Sequence, residues 1–157
     1  MLKEKYYNLK QGIKNLIRWI PVVWRDRDYD QSFVFYILYH KFKHMEDYFR
    51  GDNCWGADAE KYADEIKVAK NLCKRLYEED YLENALFWHD KKFESINLAD
   101  LFEPSSEYEG YSIYVGDRNE ARDKSFKRCC KHSDYMEKQD KDYLFSYLYK
   151  HLDGWWD

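Results

Sequence analysis

Tyr62, Ile66, Ala69, Cys73 and Leu76 recur at alternating intervals of four and three. That spacing commits residues 57 to about 81 to a helix with one continuous apolar stripe. A stripe of this kind must be buried against another element, and the neighbouring patterns are also helical. Asp58, Glu60, Asp64 and Glu65 fill the first half of this helix and Lys67, Lys70, Lys74 and Arg75 follow, an order that suits the helix dipole. Leu2, Tyr6, Leu9, Ile13, Leu16 or Ile17, and Ile20 predict a first helix. Pro21 is expected to end it, because the residue before a proline is pushed out of the α region. Val22, Val23 and Trp24 then read as a short extended connector. Asp28 or Asp30 can cap a second helix running to about Arg50, and Gly51 stops it.

Residues 52–56 read as a loop, and a shorter helix is expected through Leu86 to Phe93. From Ser95 to Asp117 the pattern changes to Pro, Gly and Ser punctuation around the alternating run Tyr111-Ser112-Ile113-Tyr114-Val115, a strand or hairpin signal. Helical character resumes from Asn119 to Gln139. Asp140 sits as the N-cap of a last helix with Leu144, Leu148, His151 and Trp155 on one face, which should bury Trp155 and leave Trp156 more exposed. The expected fold is mainly α: a helical bundle of about five to six helices in a single domain over residues 1–157, with one irregular, partly extended insertion near 95–117.

Composition narrows the function classes. Aromatic residues make up 20% of the chain, as 16 Tyr, 9 Phe and 6 Trp, so rings are expected to fill much of the interior and many hydroxyls and indole N–H groups need partners. Charged residues reach 36%, and no apolar run is long enough to span a bilayer, so no membrane partner is expected. A formal net charge of −4 argues against non-specific nucleic-acid binding by the whole surface. Cys54, Cys73, Cys129 and Cys130 lack C-x-x-C spacing and read as reduced thiols of a cytosolic protein. The chain has no phosphate-binding G-x-x-x-x-G-K-[ST] loop, no G-x-G-x-x-G after a strand, no G-x-S-x-G and no H-E-x-x-H. Standard NTPase, dinucleotide oxidoreductase, α/β-hydrolase and zincin activities are poor readings, and neither a catalytic residue nor a cofactor is expected.

Three constellations could carry chemistry. Arg118, Arg122, Lys124, Lys127, Arg128 and Lys131 stand against only Glu120 and Asp123, a cationic island in an acidic chain, with Lys124, Arg128 and Lys131 on one helical face. Tyr108, Tyr111 and Tyr114 lie directly upstream, and rings for bases beside cations for phosphates are what a nucleotide pocket requires. The same pattern also fits a solvated helix face beside a tyrosine-rich loop. In Trp24-Arg25-Asp26-Arg27-Asp28-Tyr29-Asp30, Arg25 and Arg27 could clamp a phosphate, or the charges could pair and cap the next helix. His40 and His44, four apart with Asp47 one turn further, have the spacing of a weak metal site. They equally fit a hydrogen-bonded pair at a core edge, and no metal is expected.

A longer pattern runs through Trp24-x-Asp26-Arg27-Asp28-x-Asp30, then Leu38-x-x-Lys41-x-Lys43-x-Met45-Glu46-x-Tyr48-Phe49, and Ala57-Asp58-Ala59-Glu60-Lys61-Tyr62. It continues through Leu72-x-x-Arg75-Leu76-x-Glu78-x-Asp80-Tyr81 and Lys138-Gln139-Asp140-x-Asp142-x-Leu144-Phe145 to Trp155-Trp156-Asp157. In these motifs the chain resembles a family of small proteins encoded by tailed phages and prophages. Residues 88–118 carry none of it. The resemblance implies a phage-encoded protein in the cytoplasm of the infected bacterial host, a setting shared with inhibitors of host defence that sequester nucleotide immune signals. Three expectations follow. The first is a non-enzymatic binder of a small phosphorylated ligand such as a cyclic nucleotide. The second is an inhibitor or interaction factor acting on a host protein, with Trp55, Trp88 or Trp156 in an exposed patch; a homo-oligomer is compatible with either. The third is a metal-dependent hydrolase or nuclease built on His40 and His44.

Overall fold

The computed structural model describes residues 2–24, 26, 27, 29–51, 54, 56–93, 102–104, 112–114 and 120–155. Among them the chain is mainly α, with five α-helices: α1 Leu2–Val23, α2 Phe33–Phe49, α3 Ala59–Glu78, α4 Tyr81–Phe93 and α5 Glu120–His151. A short 3-10 turn, Asp153–Trp155, follows α5. Strands β1 (Phe102–Pro104) and β2 (Ser112–Tyr114) pair antiparallel with Phe102 opposite Tyr114, within the predicted extended insertion. The chain divides into two compact units, Met1–Glu78 with Asp140–Asp157, and Glu79–Gln139.

In the first unit α3 presents Ala63, Ile66, Ala69, Leu72, Cys73 and Leu76 as a fully buried face, and α2 lies along it with Phe33, Phe42 and Met45. Leu144 of α5 and Trp155 of the 3-10 turn complete the core. Of the rings, only Phe33, Phe42 and Trp155 reach full burial among the described residues; the tyrosines stay half-buried or exposed. The interior is thus less aromatic than composition suggests, since a Tyr hydroxyl held at the boundary keeps water as a partner. Trp155 meets Phe42 edge-on at 5.9 Å between centroids, and its Nε1 donates a hydrogen bond to Glu65 Oε2 at 2.9 Å. The side chain of Trp156 lies outside the described residues.

Five local expectations need correction. Pro21 does not end α1, which continues to Val23, and Trp24 N–H still donates to the Ile20 carbonyl at 3.0 Å. So close to the helix end, a proline forfeits one backbone bond while Val22 is gained for the core, at 4% exposure. Val22 and Val23 are therefore helical rather than an extended connector. The helix α2 begins at Phe33, after Ser32; Asp30 Oδ1 accepts from the backbone N–H of Ser32 at 3.0 Å and from its hydroxyl at 2.6 Å, making the turn that leads in. Asp28 lies outside the described residues.

The expected break at Asp140 is also absent. Asp140 sits inside α5, buried, and Arg75 Nη2 reaches its Oδ2 at 2.8 Å. With neither Gly nor Pro between Gly116 and Gly154, nothing stops the helix, and the carboxylate serves a tertiary ion pair instead of a backbone cap. The helix α3 ends at Glu78, short of the expected Tyr81, because Glu79 adopts φ 53°, a left-handed conformation that costs a non-glycine residue about 1 kcal/mol. Gly51 follows α2 where a Cβ would come within 3.1 Å of the Asp47 carbonyl, a close approach that a hydrogen side chain relieves.

A charge network centred on the buried Glu46 braces α2 to α3. Glu46 accepts from Lys70 and, at 3.1 Å, from Arg50 Nε, while Arg50 Nη2 pairs with Asp64 at 2.7 Å. Burial pushes the Glu46 carboxyl up, but the hydrogen bonds from Lys70 and Arg50 outweigh it and hold the group below its usual range.

Trp155→Ala should lower stability by about 3–5 kcal/mol, because it removes a fully buried ring and leaves Glu65 without its indole donor. Trp155→Phe should recover part of that loss. Urea denaturation of the two variants against the parent measures both effects, and a Trp155→Ala loss below about 1 kcal/mol would mean that the 3-10 turn is dispensable.

Candidate functional site

The stretch from residue 120 to residue 131 is helical because it contains no breaker and opens with Glu120 and Asp123, carboxylates that favour a helix N-terminus. Helical spacing then aligns Lys124, Lys127, Arg128 and Lys131 as i, i+3, i+4 and i+7, a single exposed cationic stripe. A groove of about 470 Å³ is lined by these four cations with Glu120 and Asp123. Arg122 turns away from it: its side chain is largely buried and its Nε lies 4.0 Å from Asp123 Oδ1. Lys124 and Arg128 thus come together as expected, Lys127 and Lys131 join them, and Arg122 does not.

Of the other residues expected at this site, Tyr108, Tyr111 and Arg118 lie outside the described residues, as does the side chain of Tyr114, whose backbone ends β2. In the alternative clamp Arg25 also lies outside them. Arg27 is exposed, with its carbonyl accepting from the Asp30 N–H at 2.8 Å in the turn before α2. The side chains of Trp55 and Trp88 are likewise outside the described part of the chain.

His40 and His44 face a different environment. His40 packs against Tyr36 and Tyr39, with ring centroids at 4.5 and 5.1 Å, and His44 meets Trp19 of α1 edge-on at 5.9 Å. The two imidazoles are 6.4 Å apart, and His44 Nε2 is buried without a hydrogen-bond partner. Among the described residues no three His, Cys, Asp or Glu side chains are grouped so as to hold a metal ion. His44 is thereby part of the α1–α2 contact, while His40 packs among rings of α2 itself. Burial lowers both pKa values; for His44 the nearby charges of Arg18, His40 and Lys43 add to that against Asp47, and for His40 Lys43 does so.

In the second unit, His89 is buried between Phe93 and Phe126, with its Nδ1 3.0 Å from Ser125 Oγ. This contact ties α4 to the start of α5 from the side opposite Lys124 and Arg128, so the cations keep their solvent face. None of the four cysteines is bonded to another, and burial pushes the Cys73 thiol up to about 12, which keeps it protonated and unreactive. No family model, curated protein or solved structure matches this chain.

The depressed histidines give a signed pH dependence. The fold favours neutral His40 and His44, so their contribution is complete above the ordinary imidazole value of 6.5 and is lost as pH falls from there through their lower folded values. The melting temperature should fall between pH 7.5 and 5.5, and His44→Gln should flatten that slope. An identical slope in the variant would show that His44 does not carry it.

Proposed function

We propose that this chain is a phage-encoded, non-enzymatic binding protein that sequesters a small phosphorylated ligand in the cytoplasm of the infected host, most concretely a cyclic nucleotide or nucleotide-derived immune signal. The observation that carries the reading is the groove on α5, where Lys124, Lys127, Arg128 and Lys131 converge in a chain of net charge −4. Phosphate oxygens would be met there by Arg128 as a planar fork and by the lysines as point charges. Tyr108, Tyr111 and Tyr114, upstream in the sequence, would stack bases, and Arg118 would add a further cation. The resemblance to tailed-phage proteins supports the biological setting.

A second reading, an interaction factor that binds a host protein, has its own observation. Phe145, Tyr149 and Leu152 form an exposed stripe along the last turns of α5, with Tyr149 at 93% exposure. Aromatic side chains on a helix face are the usual anchors of a protein interface.

Calorimetry against cyclic di- and trinucleotides and ADP-ribose isomers tests the first reading. One member should bind and be released intact on denaturation, and Lys124→Glu with Arg128→Glu should weaken it at least about tenfold, since each reversed charge removes a phosphate partner. Absence of heat with every member would sink it. Capture of a single host protein that Tyr149→Ala abolishes would move the assignment to the second reading.

A further inference from the structure

The first helix leaves its apolar face without a partner. Trp19 meets the His44 ring and Val22 enters the core; Val22 lies on the side opposite Tyr6, Leu9, Ile13, Leu16, Ile17 and Ile20, and Trp19 at the edge between the two sides. Those six are between 49% and 70% exposed, along an arc of about 120°. Leu9, Ile13, Leu16 and Trp19 border an apolar groove of about 450 Å³ above Gly12, where no side chain intrudes.

Charge says what covers this face. Within α1, Lys3, Lys5, Lys10, Lys14 and Arg18 stand against Glu4 alone, while the whole chain carries −4, so the remaining residues together carry −8. Lys3, Lys10, Lys14 and Arg18 run along one flank of the apolar arc and Lys5 lies on the other. Pairing with a second copy would set two cationic helices side by side, with Lys5 and Lys10 at the seam. A negatively charged lipid surface meets both demands: acyl chains take the apolar arc, and the flanking lysine and arginine stems reach outward to headgroup phosphates. Tyr6 and Trp24, at 70% and 81% exposure, are the ring types that settle at a bilayer interface.

We propose that α1 is an interfacial helix that lies flat on an anionic lipid bilayer. No described helix is long and apolar enough to cross a membrane, and lying in the interface does not require that length.

Co-sedimentation of the full chain with vesicles tests this. The protein should pellet with phosphatidylglycerol-containing vesicles, stay in solution with phosphatidylcholine alone, and be released by high salt. Ile13→Asp with Leu16→Asp, and separately Lys10→Glu with Lys14→Glu, should each lower partitioning at least about tenfold, with the thermal transition unchanged because all four side chains are exposed. If the aspartate pair loses helicity, the glutamate pair decides. No pelleting with anionic vesicles, or equal binding to phosphatidylcholine, overturns the proposal. So does a lipid-free dimer that Ile13→Asp disperses, which would assign the face to a second copy.

Discussion

Glu65 is the point on which the first unit closes. Its Oε2 accepts the Trp155 indole N–H at 2.9 Å and lies 3.4 Å from His151 Nδ1, so one carboxylate on α3 receives both the end of α5 and the turn that follows. The Trp155 ring then fills the space over Phe42, while Tyr147 stacks on His151 at 4.3 Å. A fully buried indole would cost free energy if its N–H were orphaned, and the carboxylate removes that cost. The apolar faces of α2 and α3 supply the driving force, but this polar contact fixes where the last turns of α5 must lie.

The unbroken course of α5 matters for function. A helix of 32 residues carries Lys124, Lys127, Arg128 and Lys131 in one part, and Asp140 and Leu144 in another. The second part is anchored by apolar burial and by Arg75. In the first part, His89, Phe93 and Phe126 occupy the side away from the cations, which leaves four positive charges exposed at helical spacing. Glu120 and Asp123, each four residues before a lysine, offset part of the repulsion among these cations, and Arg128 and Lys131 have no carboxylate in the groove at that spacing.

Sequence periodicity revealed α3 almost completely, because a stripe such as Ile66, Ala69, Cys73 and Leu76 has a single geometric solution. It also aligned Lys124 with Arg128 and Lys131. Punctuation was less legible. Pro21 looks like a stop in any window, yet near a helix end it costs one bond, and Val22 on the core outweighs that. Asp140 ahead of an apolar run has the signature of an N-cap, and its actual partner, Arg75, belongs to another helix that no local pattern connects to it. Glu79 ends α3 through a left-handed backbone without the glycine that would announce it. Arg122 is close to the surface cations in sequence, whereas helical geometry turns it to the other side.

Phosphate binding at the cationic face of α5 is the proposal that amide and side-chain NMR of the full chain, titrated with inorganic pyrophosphate, puts to the test. Saturable shifts centred on Lys124, Lys127, Arg128 and Lys131 are predicted, weakening as salt is raised. Shifts centred elsewhere, or none across the titration, would contradict it.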